Sequence, residues 1–144
     1  AFGMEVIAYT RNPDRPAPEG VSWVDMETLY SKSHYITLHC PLTPETEGMI
    51  HADTLERMRS DAVLINTGRG PLVNEEDLAR ALREKRIGGA AIDVLKQEPP
   101  AYGTPLKGAP NCLMTPHIAW ATHSARQRLF DQTVSNLRDW IESN

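Results

Sequence analysis

A chain of 144 residues with a net charge of −4, 40% hydrophobic and 24% charged residues has the make-up of one ordinary globular domain, large enough to bury a core. Lys and Arg are scattered among Asp and Glu, so no basic stripe suits a nucleic acid, and no apolar run approaches the length of a membrane span. Cys40 and Cys112 lack CxxC spacing, which disfavours a disulfide framework or a zinc site and fits a reducing cytoplasm.

Ala1-Phe2-Gly3-Met4 runs straight into an apolar stretch, Val6 to Thr10, that reads as a strand, as if the chain began in mid-domain. A short strand is expected at Val21 to Val24 and a helix over Asp25–Ser31. Strands follow at Tyr35 to His39 and Ala62 to Thr67, with a helix at Ala52–Arg59 between them. The next helix, Glu75 to about Arg86, has Asn74 as N-cap and three acids at its positive end. Basic residues sit near its negative end, Gly88 is placed to close it, and Leu78, Ala81 and Leu82 form its buried stripe. Strands at Ala90 to Val94 and Cys112 to Thr115 precede a last helix from about Ala121 to Glu142. Phe130, Val134, Leu137 and Ile141 recur on it at helical spacing and are expected to pack on the core, with a partner surface as the minority alternative.

The strands are apolar on both faces and alternate with helices, as in a doubly wound parallel α/β sheet of Rossmann type. Such folds bind ligands at the carboxyl ends of their strands. The loops there hold Arg69 between two glycines, Glu98 before two prolines, and His117 after Pro116. Singly each is a weak signal: a tight turn, a solvated loop acid, a structural histidine. Together they place a carboxylate-binding cation and an acid–base pair along one edge. His34, His39, His51 and His123 lack metal-ligand spacing and are read as structural or surface residues.

Four ordered motifs carry a family resemblance over essentially the whole chain. They are Leu38-His39-Cys40-Pro41-Leu42-Thr43-Pro44-Glu45-Thr46-Glu47-Gly48, Ile65-Asn66-Thr67-Gly68-Arg69-Gly70, Ala91-Ile92-Asp93-Val94 with Glu98-Pro99-Pro100, and Thr115-Pro116-His117-Ile118-Ala119-Trp120. The sequence resembles the D-isomer-specific 2-hydroxy-acid dehydrogenases, and its Trp120 segment looks most like bacterial glycerate dehydrogenases, also called hydroxypyruvate reductases. The resemblance implies that Arg69 binds the substrate carboxylate and carbonyl, that His117 is the acid–base residue and that Glu98 is its partner. It implies that Asp93 and Thr67 lie by the nicotinamide, that Gly68 binds the cofactor, and that Cys40, Pro41, Thr43 and Glu45 border the adenosine. It also implies a small 2-oxo or 2-hydroxy acid as substrate and a homodimer. Glutamine replaces the partner acid in members that oxidise formate, so Glu98 disfavours that substrate.

Two departures qualify the likeness. The G-x-G-x-x-G fingerprint is absent, as is the substrate domain, so the chain is expected to be a partial dinucleotide-binding domain over residues 1–144. Where NAD enzymes place Asp or Glu to hold the ribose 2′-hydroxyl, this sequence has Thr10 and Arg11, which leaves NAD and NADP both open and leans to NADP. A dinucleotide-sensing corepressor-like module is the alternative function, although no docking surface for it is evident. An adenosylhomocysteine hydrolase relative would leave the Arg69, Glu98 and His117 trio unexplained.

Overall fold

The computed structural model describes residues 3–143. Two parallel strands, β1 (Val6–Ala8) and β2 (Val21–Trp23), form one small sheet. Four more form a second parallel sheet in the order β3 (Tyr35–Leu38), β4 (Val63–Asn66), β5 (Gly89–Ile92) and β6 (Cys112–Met114). The helices are α1 (Met26–Lys32), α2 (Ala52–Arg57), α3 (Glu75–Arg83) and α4 (His123–Glu142). Every predicted element is present, most of them a residue or two shorter at their ends. Among the described residues, β1 and β3 each have one edge without a strand partner.

Parallel pairing sets the side chains in rows. Ile36, Leu64, Ala90 and Cys112 make one row, and Leu38, Asn66, Ile92 and Met114 the next. These rows meet the stripes of α1, α2 and α3 in one core, where Leu55, Leu64, Leu72 and Leu78 are almost completely buried. The opposite face carries Thr37, Ile65, Ala91 and Leu113 and is covered far less; Leu113 is 65% exposed. The apolar residues read on both faces of the strands are there, but helices α1 to α3 cover only one face.

Helix α3 starts as its sequence demands. The Asn74 side chain accepts from the N–H groups of Glu76 and Asp77, and three acids occupy the first turn. Its end differs from expectation. Lys85, not Gly88, takes the left-handed conformation (φ 56°). The Lys85 and Arg86 N–H groups then bond back to the carbonyls of Leu82 and Ala81, the Schellman pattern. Gly88 serves packing instead: a Cβ there would stand 2.8 Å from the Asp61 carbonyl oxygen.

The larger correction concerns α4. Thr122 caps it and it runs for 20 residues, yet no residue of it is buried. Phe130 is 65% and Leu137 56% exposed. The expected packing of this stripe on the core does not occur. A surface helix needs a partner face, and α1 to α3 already fill the covered side of the sheet.

Candidate active site

Because β3 to β6 are parallel neighbours, their carboxyl ends lie along one edge, and the loops carrying Arg69, Glu98 and His117 follow β4, β5 and β6 in turn. Asn66, the last residue of β4, shapes the first loop. It is fully buried; its side-chain nitrogen donates to the Arg69 carbonyl (2.9 Å) and its oxygen accepts from the Gly68 N–H (3.0 Å). Arg69 itself is exposed and donates to the Gly68 carbonyl, and among the described residues it has no ion-pair partner. Its guanidinium fork therefore keeps donors for an incoming carboxylate.

Glu98 and His117 do meet. Glu98 Oε2 lies 2.7 Å from His117 Nδ1, and Oε1 accepts from the Leu95 N–H at 2.7 Å. Burial opposes ionisation of Glu98, but the hydrogen bonds from His117 and Leu95 outweigh it and hold its carboxyl below the usual range. With Nδ1 committed, Nε2 is the nitrogen left to exchange a proton with a ligand.

His117 owes its place to Asp93. Its backbone is in the left-handed region (φ 54°), an uncommon state for a residue with a Cβ. Asp93, buried at the end of β5, accepts from the Thr115 hydroxyl (2.5 Å) and from the N–H groups of Ile118 (2.9 Å) and Ala119 (2.8 Å). The Asp93 carbonyl accepts the His117 N–H at 2.8 Å, and Trp120 Nε1 donates to the His117 carbonyl at 2.8 Å. Burial pushes the Asp93 carboxyl up, yet these three donors and the nearby imidazole bring it below its ordinary value. Sequence reasoning missed Asn66 and Thr115, and it read Asp93 only as a nicotinamide neighbour. The available signal was polar residues closing apolar strands, since a buried polar group needs partners.

A cleft of about 680 Å³ opens beside the pair, lined among others by Asp93, Leu95, Glu98, Thr104, Met114 and His117. The expected adenosine-side residues gather on the loop after β3. Thr46 Oγ accepts from the Thr43 N–H (2.8 Å) and donates to the Pro41 carbonyl (2.7 Å), while Cys40 lies 3.5 Å from the Met49 sulfur. Both cysteines are free thiols. The Gly48 N–H donates to the Pro71 carbonyl at 2.8 Å, which ties this loop to the one after Arg69. A hydrogen bond with Thr43 first, then the loop backbone and the charge of Arg11, lower the Glu45 carboxyl, so the ends of β1 and β3 share one electrostatic neighbourhood. Thr10 accepts from the Asn12 N–H (3.2 Å), and Thr67 is exposed just beyond β4.

Residues 1–119 match the model of the D-isomer specific 2-hydroxyacid dehydrogenase, NAD binding domain. The chain belongs to that family. It is 47% identical over 143 residues to a glycerate dehydrogenase of Methylorubrum extorquens, covering 98% of this chain and 44% of that protein. It is 40% identical over 146 residues to a hydroxypyruvate reductase of Blautia hydrogenotrophica, covering 100% and 45%. The NAD-complexed D-isomer specific 2-hydroxyacid dehydrogenase of Lactobacillus delbrueckii ssp. bulgaricus superimposes with a TM-score of 0.85 at 29% identity, over 99% of this chain and 47% of that one. The chain thus spans about half the length of the relatives it matches. No helix among the described residues is long and apolar enough to cross a membrane.

The residues present fit a dinucleotide in part. The aligned carboxyl ends of β3 to β6, a donor-bearing loop after β4 and a polar-capped loop after β3 suit its two ends. No G-x-G-x-x-G is present to cradle the pyrophosphate.

Proposed function

We propose that the full-length protein reduces a small 2-oxo acid, hydroxypyruvate or glyoxylate, to D-glycerate or glycolate, with His117 as the acid–base residue. The observation that carries this reading is the Glu98–His117 pair, beside an Arg69 that has no ion-pair partner among the described residues. NAD(P)H supplies the hydride when bound. Arg69 binds and orients the substrate through its carboxylate and carbonyl oxygens. His117, protonated and held by Glu98, gives its Nε2 proton to the carbonyl oxygen and takes one back in the oxidative direction. Thr67, Gly68 and Asp93 border the nicotinamide, and Cys40, Pro41, Thr43 and Glu45 the adenosine. Thr10 and Arg11 face the ribose, where Arg11 favours a 2′-phosphate and so NADPH.

The missing parts complete the reading. A strand bearing the glycine loop fits between the unpaired edges of β1 and β3. Tyr30 is consistent with this: it is buried and its hydroxyl has no hydrogen-bond partner among the described residues. The unburied stripe of α4 fits cover from the rest of the protein, which works as a cytoplasmic homodimer.

The test is turnover. His117→Ala in the full-length protein should slow hydroxypyruvate or glyoxylate reduction by about 10²–10⁴ while cofactor binding survives. Near-normal turnover in that variant would sink the assignment. Arg69→Gln should chiefly raise KM for the 2-oxo acid, and Arg11→Gln should shift preference from NADPH toward NADH.

A further inference from the structure

Glu75 reads in the sequence as negative charge at the positive end of a helix. In the fold it does more. Its Oε1 accepts from the backbone N–H of Lys96 and its Oε2 from the hydroxyl of Thr104, both at 2.6 Å. Lys96 and Thr104 flank Glu98-Pro99-Pro100, so one carboxylate closes both ends of the loop that bears Glu98. The loop is braced from the other side by Gly70, beside Arg69. A Cβ on Gly70 would stand 2.1 Å from the backbone carbon and oxygen of Leu95, so the two backbones are in direct contact. Leu95 in turn provides the N–H that holds Glu98 Oε1. The Arg69 turn, the Leu95-Lys96 backbone and the Glu98 carboxylate are thus linked contact by contact, with Glu75 as their anchor on α3.

We propose that Glu75 is a positioning residue: by clasping Lys96 and Thr104 it holds the loop that aims Glu98 at His117, and so keeps the imidazole oriented with Nε2 free for proton exchange. The role in catalysis rests on the acid–base reading above. The charged groups around His117 are Glu98, in contact with it, and Asp93, whose charge it also feels; Lys107 lines the same cleft. Loosening Glu98 removes the acceptor that holds His117 Nδ1–H in place.

Alanine at position 75 removes both contacts. Glutamine keeps both, since its oxygen accepts from Lys96 N–H while its amide donates to the Thr104 oxygen. The Nδ1–H proton of His117, held by its hydrogen bond to Glu98, is read by NMR at one fixed pH, a signal that needs no turnover. Its downfield resonance should be lost in Glu75→Ala and retained in Glu75→Gln. In the full-length protein kcat should fall about 10-fold in Glu75→Ala with KM little changed, and recover in Glu75→Gln. An unchanged resonance in Glu75→Ala overturns the proposal. Equal losses in both variants also overturn it, because they report charge lost at a distance rather than a broken clasp. Should Glu75→Ala fail to fold, Thr104→Val cuts one arm; a partial loss of the resonance supports the clasp and none overturns it. A wild-type protein without 2-oxo acid reduction, but with this loss and rescue of the resonance intact, would count against the reaction alone.

Discussion

Helices α3 and α4 both carry apolar stripes at helical spacing, and their fates differ. The nine residues of α3 bury Leu78, Ala79, Ala81 and Leu82, whereas the twenty of α4 bury none. An apolar stripe thus announces that a helix has a partner without saying where the partner lies. α3 follows directly after the loop of β4 and returns to β5, so chain connectivity drops it onto the sheet it leaves. α4 follows β6, and no later strand among the described residues draws it back onto the sheet. The functional edge sits with the packed region: Asn66, Glu75, Asp93 and Glu98 all find their partners within the chain.

This contrast is open to direct attack by urea unfolding of the 144-residue chain. Leu78→Ala, at a fully buried site, should cost about 2–5 kcal/mol. Gly70→Ala should cost about 3 kcal/mol, because the added methyl meets Leu95 backbone rather than a movable side chain.

The acid side should follow the same division. Asp93 and Glu98 have folded values below their unfolded ones, so their stabilisation is complete above the ordinary carboxylate range, about pH 4, and is lost as pH falls through the folded values. Asp93→Asn should flatten that acid limb in a pH series of unfolding midpoints. An unaltered limb would show that the turn around His117 is held by something other than this carboxylate.

Smaller effects complete the comparison. Asn74→Ala should cost about 1 kcal/mol, one lost cap on α3. Phe130→Ser on α4 should stay within about 0.5 kcal/mol in this chain. A cost there as large as that of Leu78→Ala would erase the contrast and show that α4 packs in solution.

Much of the site was legible early because it depends on types and order. Arg69, Glu98 and His117 each follow an apolar run, and parallel strands carry such residues to one edge. The supporting contacts were less visible. Glu75 lies 21 residues from Lys96 and 29 from Thr104, and Asp93 lies 25 from Ile118; no local pattern encodes those distances. The end of α3 misled for a related reason. Glycine is the usual left-handed residue, but Gly88 is needed where β4 and β5 converge, and Lys85 takes the turn at a modest conformational cost.

The sequence alone determined the class of fold, the order of its elements, the three candidate residues and the family to which the chain belongs. These follow from periodicity, capping and motif order, which act over a few residues at a time. Tertiary structure decided that Glu98 and His117 are in contact while Arg69 stands apart, without an ion-pair partner among the described residues. It decided that Asp93 fastens the histidine turn rather than only bordering a cofactor, and that α4 finds no core in this chain. Those outcomes depend on which loops and faces are brought together across the sheet, and that is a property of the packed whole.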